Sequence, residues 1–223
     1  MSFVIAIDGP AGAGKSTIAK AVSKKLNSIY VDTGAMYRSI ALFMIRNNVS
    51  KDDTASIATK CKDADVTINY EGGVQNVILN GENVNGLIRT EEVGNMASVV
   101  SAVPEVRAHL LQLQRNLAAS ADVVMDGRDI GTTVLPDADL KVYLTASSKV
   151  RAKRRYDELT AKGETCDIDV IEKDIIDRDH RDMTREISPL KQAKDAVLVD
   201  SSDMTIEEVE NKIISLAKEA GKA

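Results

Sequence analysis

Phe3-Val4-Ile5-Ala6-Ile7 runs through Asp8 into Gly9-Pro10-Ala11-Gly12-Ala13-Gly14-Lys15-Ser16-Thr17. The second stretch has the form G-x-x-x-x-G-K-[ST], and it lies between an apolar strand and a helical pattern, the context in which this form binds phosphate. Its glycines keep Cβ atoms away so that backbone N–H groups can converge on a polyanion, and the helix start adds its positive end. We predict a phosphate-binding loop over residues 9–17, with Lys15 reaching the β- and γ-phosphates and the Ser16 hydroxyl ligating Mg²⁺.

The amino-acid composition excludes several classes of protein. The 223 residues carry 29 basic and 34 acidic side chains, a net charge of −5, and only 3% are aromatic, with no Trp. This balance argues against nucleic-acid and membrane partners, and the scarcity of aromatic rings argues against a base-stacking surface. Two distant cysteines and two isolated histidines form no metal motif. The first apolar run is a strand and not a signal peptide, so we expect a cytoplasmic protein, and the absence of coiled-coil heptads favours a monomer.

Apolar runs and helical patterns alternate along the chain, which predicts an α/β fold with a five-stranded parallel sheet in three layers. The predicted strands are 3–7, 29–31, 123–125, 140–144 and 196–199. The predicted helices are 16–26, 36–46, 104–119, 147–162, 169–186 and a C-terminal helix from about 205 to 221. The last two begin with apparent capping boxes, Asp169 to Glu172 and Thr205 to Glu208.

One segment departs from this pattern. Val66-Thr67-Ile68-Asn69-Tyr70 and Asn76-Val77-Ile78-Leu79 alternate with period two, and Asn80-Gly81 predicts a type I′ hairpin turn. A plain hairpin decoration would explain these strands, but we favour an inserted antiparallel β lobe over residues 40–103. The core would then comprise residues 1–39 and 104–223, including a helical lid at about 147–165.

A phosphate-binding loop alone does not specify a reaction. A GTPase would need an Asn-Lys-x-Asp motif, and Asn211-Lys212 is followed by Ile213-Ile214 instead. An ATPase of another class would need an acid closing an apolar strand, which Asp126 could supply. The residues after Asp126 favour a second anionic ligand, since Arg128 can pair bidentately with phosphate and Asp129 can accept from an amine.

Cations recur on the later helices. Arg151, Arg154 and Arg155 share one helical face, and so do Arg178, Asp182 and Arg185. Neighbouring acids could neutralise both groups, yet polyphosphate is the partner that the preceding motifs favour. A lid built on the first group would have cations without partners until phosphates arrive, and it would be mobile until then.

Several further blocks make the whole chain resemble the bacterial cytidylate kinases, within the nucleoside monophosphate kinase group. The similar blocks are residues 7–17, Asp32-Thr33-Gly34-Ala35-Met36-Tyr37-Arg38, Ile88-Arg89-Thr90-Glu91-Glu92-Val93, Ala97-Ser98, Pro104-Glu105-Val106-Arg107, Asp126-Gly127-Arg128-Asp129-Ile130-Gly131-Thr132 and Arg178-Asp179-His180-Arg181-Asp182-Met183-Thr184-Arg185. The resemblance implies a P-loop kinase that transfers the γ-phosphoryl group of ATP to CMP or dCMP with Mg²⁺. Kinases of another nucleoside monophosphate and a P-loop ATPase without a nucleotide acceptor remain the alternatives.

The resemblance also implies residue roles. Residues 9–17 would bind ATP. Arg38 and Arg128 would hold the CMP phosphate, while Thr33, Arg178 and Asp182 would face the ribose. The residues facing the cytosine ring would be Ser98, Arg107, Asp129 and Arg185. The catalytic cations would be Lys15, Arg128 and the lid residues Arg154 and Arg155.

Overall fold

Strands and helices follow one another closely in the computed structural model, which describes residues 2–222. The strands are β1 (Val4–Asp8), β2 (Ile29–Asp32), β3 (Val66–Glu71), β4 (Val74–Leu79), β5 (Glu82–Asn83), β6 (Val123–Gly127), β7 (Leu140–Thr145) and β8 (Val197–Asp200). The helices are α1 (Lys15–Lys25), α2 (Thr33–Arg46), α3 (Thr54–Lys60), α4 (Glu91–Val100), α5 (Pro104–Ser120), α6 (Ser148–Ala161), α7 (Ile168–Thr184) and α8 (Ile206–Glu219).

The predicted parallel sheet is confirmed, with the strand order β2-β6-β1-β7-β8. Ile7 lies opposite Asp126 of β6 and Val142 of β7, so three carboxyl ends meet at one edge. The loops after β1, β2 and β6 leave from that edge, where ligands bind in open α/β sheets. The fold therefore brings the phosphate-binding loop, Thr33 and Arg128 together.

Helices cover both faces of this sheet. Ile5 and Ile7 pack on one face against side chains of α1 and α8, such as Val22 and Ile213. Ala6 points to the other face, where the core includes residues of α2, α4 and α5 and continues under the small sheet. The period-two alternation along β1 therefore places the strand between two hydrophobic cores, as a central parallel strand requires.

The antiparallel sheet has the order β3-β4-β5. Asn80 and Gly81 both have positive φ, as the predicted type I′ turn requires. A second turn with two positive φ values, at Gly72-Gly73, joins β3 to β4 and was not predicted. The Gln75 side chain contacts both backbone groups of Asp32 in β2, accepting at 2.8 Å and donating at 3.2 Å. The small sheet is thereby joined to the edge strand of the large one.

Local hydrogen bonds correct two predicted helix starts. Helix α7 is capped by Asp167 and not by an Asp169–Glu172 box, because the Asp167 side chain accepts from the N–H groups of Asp169 and Val170. Glu172 instead accepts from the Ser148 hydroxyl. Helix α2 begins at Thr33, three residues before the predicted start, because the Asp32 carboxylate caps it. The Thr205–Glu208 capping box of α8 is confirmed.

A membrane span needs a long apolar helix, and none of the helices within residues 2–222 meets that requirement.

Candidate active site

The loop after β1 turns sharply against β7. Gly9 has a φ of 150°, and a Cβ atom there would lie 1.9 Å from the carbonyl oxygen of Leu144, so only glycine fits. Residues 11–18 line a large cleft, whereas Gly9 and Pro10 do not. The Lys15 ammonium donates to the Pro10 carbonyl at 2.7 Å. Residues 11–17 of the predicted loop therefore face the cleft, and its first two residues, Gly9 and Pro10, lie outside the lining.

Lys15 is a buried cation at the base of the loop, 6% exposed. Burial, and secondarily Arg128, lowers the pKa of Lys15, while Asp126 and Asp8 act in the opposite direction. An anion placed beside this ammonium would restore the charged form, because opposite charges favour ionisation. The cleft is therefore electrostatically suited to a phosphate at Lys15.

Asp126 at the end of β6 faces the loop. The Ser16 hydroxyl donates to one carboxylate oxygen at 3.0 Å, and the Tyr30 hydroxyl donates to the other at 2.8 Å. Burial and the neighbouring Asp32 raise the pKa of Asp126. The sequence prediction named Ser16 alone for the metal; Asp126, an acid closing an apolar strand, is hydrogen-bonded to the same hydroxyl. Hydroxyl and carboxylate oxygens are the ligands that Mg²⁺ prefers.

Three guanidinium groups, those of Arg38, Arg128 and Arg178, line the cleft. Arg38 donates to the Ile88 carbonyl at 3.1 Å, and Arg128 donates to the Asp182 carboxylate at 3.0 Å. The Nε atom of Arg178 is buried without a hydrogen-bond partner in the described chain. Burial, with Arg128 second, lowers the pKa of Arg178 to about 10. Clustered cations with an unfilled donor are typical of an anion site.

A second polar pocket lies beside these arginines. The Asp129 carboxylate, 4% exposed, pairs with Arg107 and lies 3.7 Å from a guanidinium nitrogen of Arg185. Arg107 also donates to the Ser101 carbonyl at 3.1 Å. Ser98 also lines the cleft. A buried carboxylate fixed by two cations can accept hydrogen bonds from a ligand without moving.

Thr33 and Asp182 join the two pockets. The Thr33 hydroxyl donates to the Asp126 carbonyl at 2.8 Å, at the start of α2. Although burial alone would raise it, the pKa of Asp182 is lowered by Arg128 and then Arg178. The predicted CMP-binding residues all line this cleft.

The arginines of α6 are not free of partners, so that expectation was wrong. Arg151 pairs with Asp179 at 2.6 Å and donates to the Ala11 carbonyl at 2.8 Å. Arg154 donates to the Ser201 carbonyl at 2.7 Å, and Arg155 pairs with Glu158 at 3.0 Å. Arg154 and Arg155 still line the cleft. Arg151 also lines the cleft and holds the phosphate-binding loop through the Ala11 carbonyl, whereas the other two can exchange protein partners for phosphate.

The cleft has a volume of about 1530 Å³ and is bordered by both pockets and α6. That volume exceeds the ~300–1,000 Å³ typical of a site for one small ligand. The cleft is therefore large enough for more than one small ligand.

Comparisons with known proteins agree with this geometry. The family model described as cytidylate kinase matches residues 5–219. A cytidylate kinase of Listeria innocua is 51% identical over 216 residues, which cover 96% of each chain. A cytidylate kinase of Carboxydothermus hydrogenoformans is 47% identical over 212 residues, covering 95% of this chain and 96% of that one.

Similarity to solved structures supports the fold. A gluconokinase from Sinorhizobium meliloti superposes with a TM-score of 0.50 at 11% identity, covering 97% of this chain and 92% of that one. At this identity the superposition concerns architecture alone, and that architecture is the one expected from the phosphate-binding loop.

Proposed function

The chain belongs to the cytidylate kinase family and phosphorylates CMP as a P-loop kinase, and we propose that the residues of the cleft carry out this transfer as follows. ATP binds with its phosphates in the loop of residues 9–17, and CMP binds against the opposite wall. The observation that carries this proposal is that Arg38, Arg128 and Arg178 line the same cleft as Lys15. A P-loop ATPase without an acceptor has no use for the second anion site.

Transfer requires positioning and charge stabilisation, and no covalent intermediate. The acceptor phosphate of CMP is already a nucleophile, so we assign no general base. Lys15 contacts the β- and γ-phosphates, and Arg128 contacts the acceptor phosphate. Arg154 and Arg155 stabilise the charge that spreads over the transferring group once they leave Ser201 and Glu158. Closure of α6 excludes water, which would otherwise compete with CMP for the phosphoryl group.

Cytosine recognition rests on Asp129 and Ser98. We place the exocyclic amine of cytosine at the Asp129 carboxylate, with Arg107 and Arg185 holding that carboxylate and the ring. Uracil has a carbonyl at the same ring position, so UMP would direct an acceptor at a carboxylate. Thr33, Arg178 and Asp182 contact the ribose.

We propose Mg²⁺ as the metal that accompanies ATP. The hydroxyl of Ser16 and the carboxylate of Asp126 form an oxygen donor set beside the loop, which fits this cation. Bound there, Mg²⁺ neutralises charge on the β- and γ-phosphates. The Tyr30 hydroxyl orients Asp126, and burial raises the pKa of Tyr30, so the hydroxyl keeps the proton that it donates.

We further propose that the protein acts as a cytoplasmic monomer, because its substrates are soluble nucleotides and its sequence has a net charge of −5 and no coiled-coil heptads. We also retain the division into a core of residues 1–39 and 104–223, with a lid at 147–165, and a monophosphate-binding lobe of residues 40–103. The antiparallel sheet lies inside the lobe range.

The test compares Asp129→Ala with Arg128→Met in assays of kcat/KM for CMP and UMP. Asp129→Ala should lower kcat/KM for CMP far more than for UMP, since mispairing at this carboxylate accounts for about 1–3 kcal/mol or more of discrimination. Arg128→Met should damage both substrates about equally, because phosphate is common to both. An unchanged CMP/UMP ratio in Asp129→Ala would remove Asp129 from base recognition.

A further inference from the structure

Asp8 is an acid placed where polyphosphate must bind. It ends β1, directly before Gly9 and the phosphate-binding loop, and it is 5% exposed. None of the roles assigned above uses it. A buried carboxylate so close to anionic ligands is costly unless its oxygens are fully used.

Both carboxylate oxygens accept from the loop that follows β6. Oδ1 accepts the N–H of Ile130 at 2.8 Å, and Oδ2 accepts the N–H of Gly131 at 2.7 Å. These are the first two residues after Asp129. A Cβ atom at Gly131 would lie 3.4 Å from Oδ2 and 3.1 Å from the Lys141 side chain, so the backbone approaches Asp8 through a narrow space.

This contact joins the two halves of the active site. Asp8 lies opposite Gly127 in the parallel pairing of β1 with β6. Its carboxylate binds the N–H groups of Ile130 and Gly131, so Arg128 and Asp129 lie between its two points of contact with the chain. The same residue adjoins the ATP loop through the peptide bond to Gly9. Movement of the 128–131 segment away from the ATP loop would break two buried hydrogen bonds.

We propose that Asp8 is a positioning residue that sets the 128–131 segment, and with it Arg128 and Asp129, in register with the ATP loop. The proposal rests on the proposed function, since it concerns the alignment of CMP with the donor phosphate. Two acceptor oxygens are required because two N–H groups converge on one side chain. Asparagine offers one oxygen and turns an NH₂ group toward the other donor.

The experiment uses Asp8→Asn with Asp139→Asn as the matched control. The Asp139 carboxylate likewise accepts a backbone N–H, but from Val4 at 2.7 Å, at the end of β1 away from Asp8. Asp8→Asn should raise KM for CMP by about tenfold or more and lower the CMP/UMP ratio, as expected for the loss of a buried charged hydrogen bond. The Kd of an ATP analogue should change less than ~threefold, because the loop of residues 9–17 keeps its own contacts. Asp139→Asn should alter none of these values.

A double variant separates positioning from general stability. If Asp8 acts through Asp129, Asp8→Asn added to Asp129→Ala should lower the CMP/UMP ratio no further than Asp129→Ala alone. If the double variant instead lowered the CMP/UMP ratio by the product of the two single effects, the proposal would be overturned. A purely structural role would weaken ATP and CMP binding alike, and that result would also overturn it.

Two further outcomes are distinguishable. Should Asp8→Asn fail to fold, glycolate incorporated in place of Gly131 removes one N–H donor and leaves Asp8 unchanged, and the same rise in KM for CMP is expected. Unchanged KM in the folded glycolate variant would contradict the proposal while leaving the kinase function intact. Absence of transfer to CMP by the unmodified protein would overturn the proposed function and this proposal with it.

Discussion

At the scale of single residues, we expect the removal of the Lys15 charge to affect transfer most directly. Lys15→Met keeps similar bulk and removes the charge from the bridging phosphates. Loss of one preorganised contact of this kind should lower kcat by about 10²-fold or more. Lys24→Met, an exposed position on the same helix, is the control and should retain normal turnover. Near-normal turnover of Lys15→Met would contradict the assignment of the loop.

Asp8 also predicts a pH dependence of stability. Burial raises its pKa from the ordinary 3.8 to about 6, against the lowering effect of the Gly131 and Ile130 N–H groups. Because the folded state then holds this proton more tightly than the unfolded state, the Asp8 contribution to stability falls as pH rises from about 4 to 6. Over this pH range, the free energy of unfolding of the unmodified protein should fall by about 3 kcal/mol at most relative to that of Asp8→Asn.

Urea unfolding of the unmodified protein and Asp8→Asn at pH 4 and pH 7 measures this difference. The stability of the unmodified protein relative to the variant should decrease between the two pH values. If the difference in unfolding free energy between the two proteins were the same at both pH values, the pKa of Asp8 would be the same in the folded and the unfolded state.

The sequence predicted single residues well where a short motif constrains the backbone. Lys15 and Ser16 follow from the loop motif, and Arg128 and Asp129 follow from their place after an apolar strand. The contacts of Asp8 and Asp126 could not be predicted, because their partners lie 96 to 123 residues away in the chain. Their geometry depends on which strands become neighbours in the sheet.

At the scale of elements, α6 is the segment expected to move. Arg155 and Glu158 are each about half exposed, so their ion pair is weak and phosphate can replace Glu158. Arg151, by contrast, is 6% exposed and holds both Asp179 and the Ala11 carbonyl. We therefore expect the N-terminal part of α6 to act as the anchor and the part beyond Arg154 to close.

Hydrogen exchange over residues 147–165 tests this motion, with and without a bisubstrate analogue joining ATP and CMP. Amide exchange should slow on binding, more beyond residue 154 than before it, since the anchored end is already protected. Exchange across α5 provides the reference. Equal protection of residues 147–165 in both states would argue against a lid there.

Strong periodicity and caps explain which elements could be predicted. The five parallel strands and α8 follow from apolar runs and a capping box. Helix α3 was missed because it has only seven residues and buries Ile57 alone. Helix α4 was missed although Val93, Met96, Ala97 and Val100 form an apolar stripe behind the Thr90 cap. The cap of α7 was misplaced because Asp167 and Asp169 are both acceptable capping residues, and only the backbone fold distinguishes them.

At the scale of the whole molecule, a net charge of −5 coexists with a cleft rich in arginine. Acidic side chains elsewhere disfavour nonspecific binding of nucleic acid, while the cleft concentrates positive charge where two nucleotides meet. The small sheet is tied to β2 through Gln75 and also through the Tyr70 hydroxyl, which donates to the Tyr30 carbonyl at 3.0 Å. The inserted segment thereby supports the wall that carries Thr33 and Arg38.

The measurement that tests the account most directly follows product formation from ATP and Mg²⁺ with CMP, dCMP, UMP or AMP as acceptor. Chromatography quantifies ADP, the new nucleoside diphosphate and inorganic phosphate in each reaction. The account predicts one CDP or dCDP for each ADP formed, with UMP and AMP far poorer acceptors. ADP accompanied by inorganic phosphate and no CDP, or equal transfer to AMP, would contradict it.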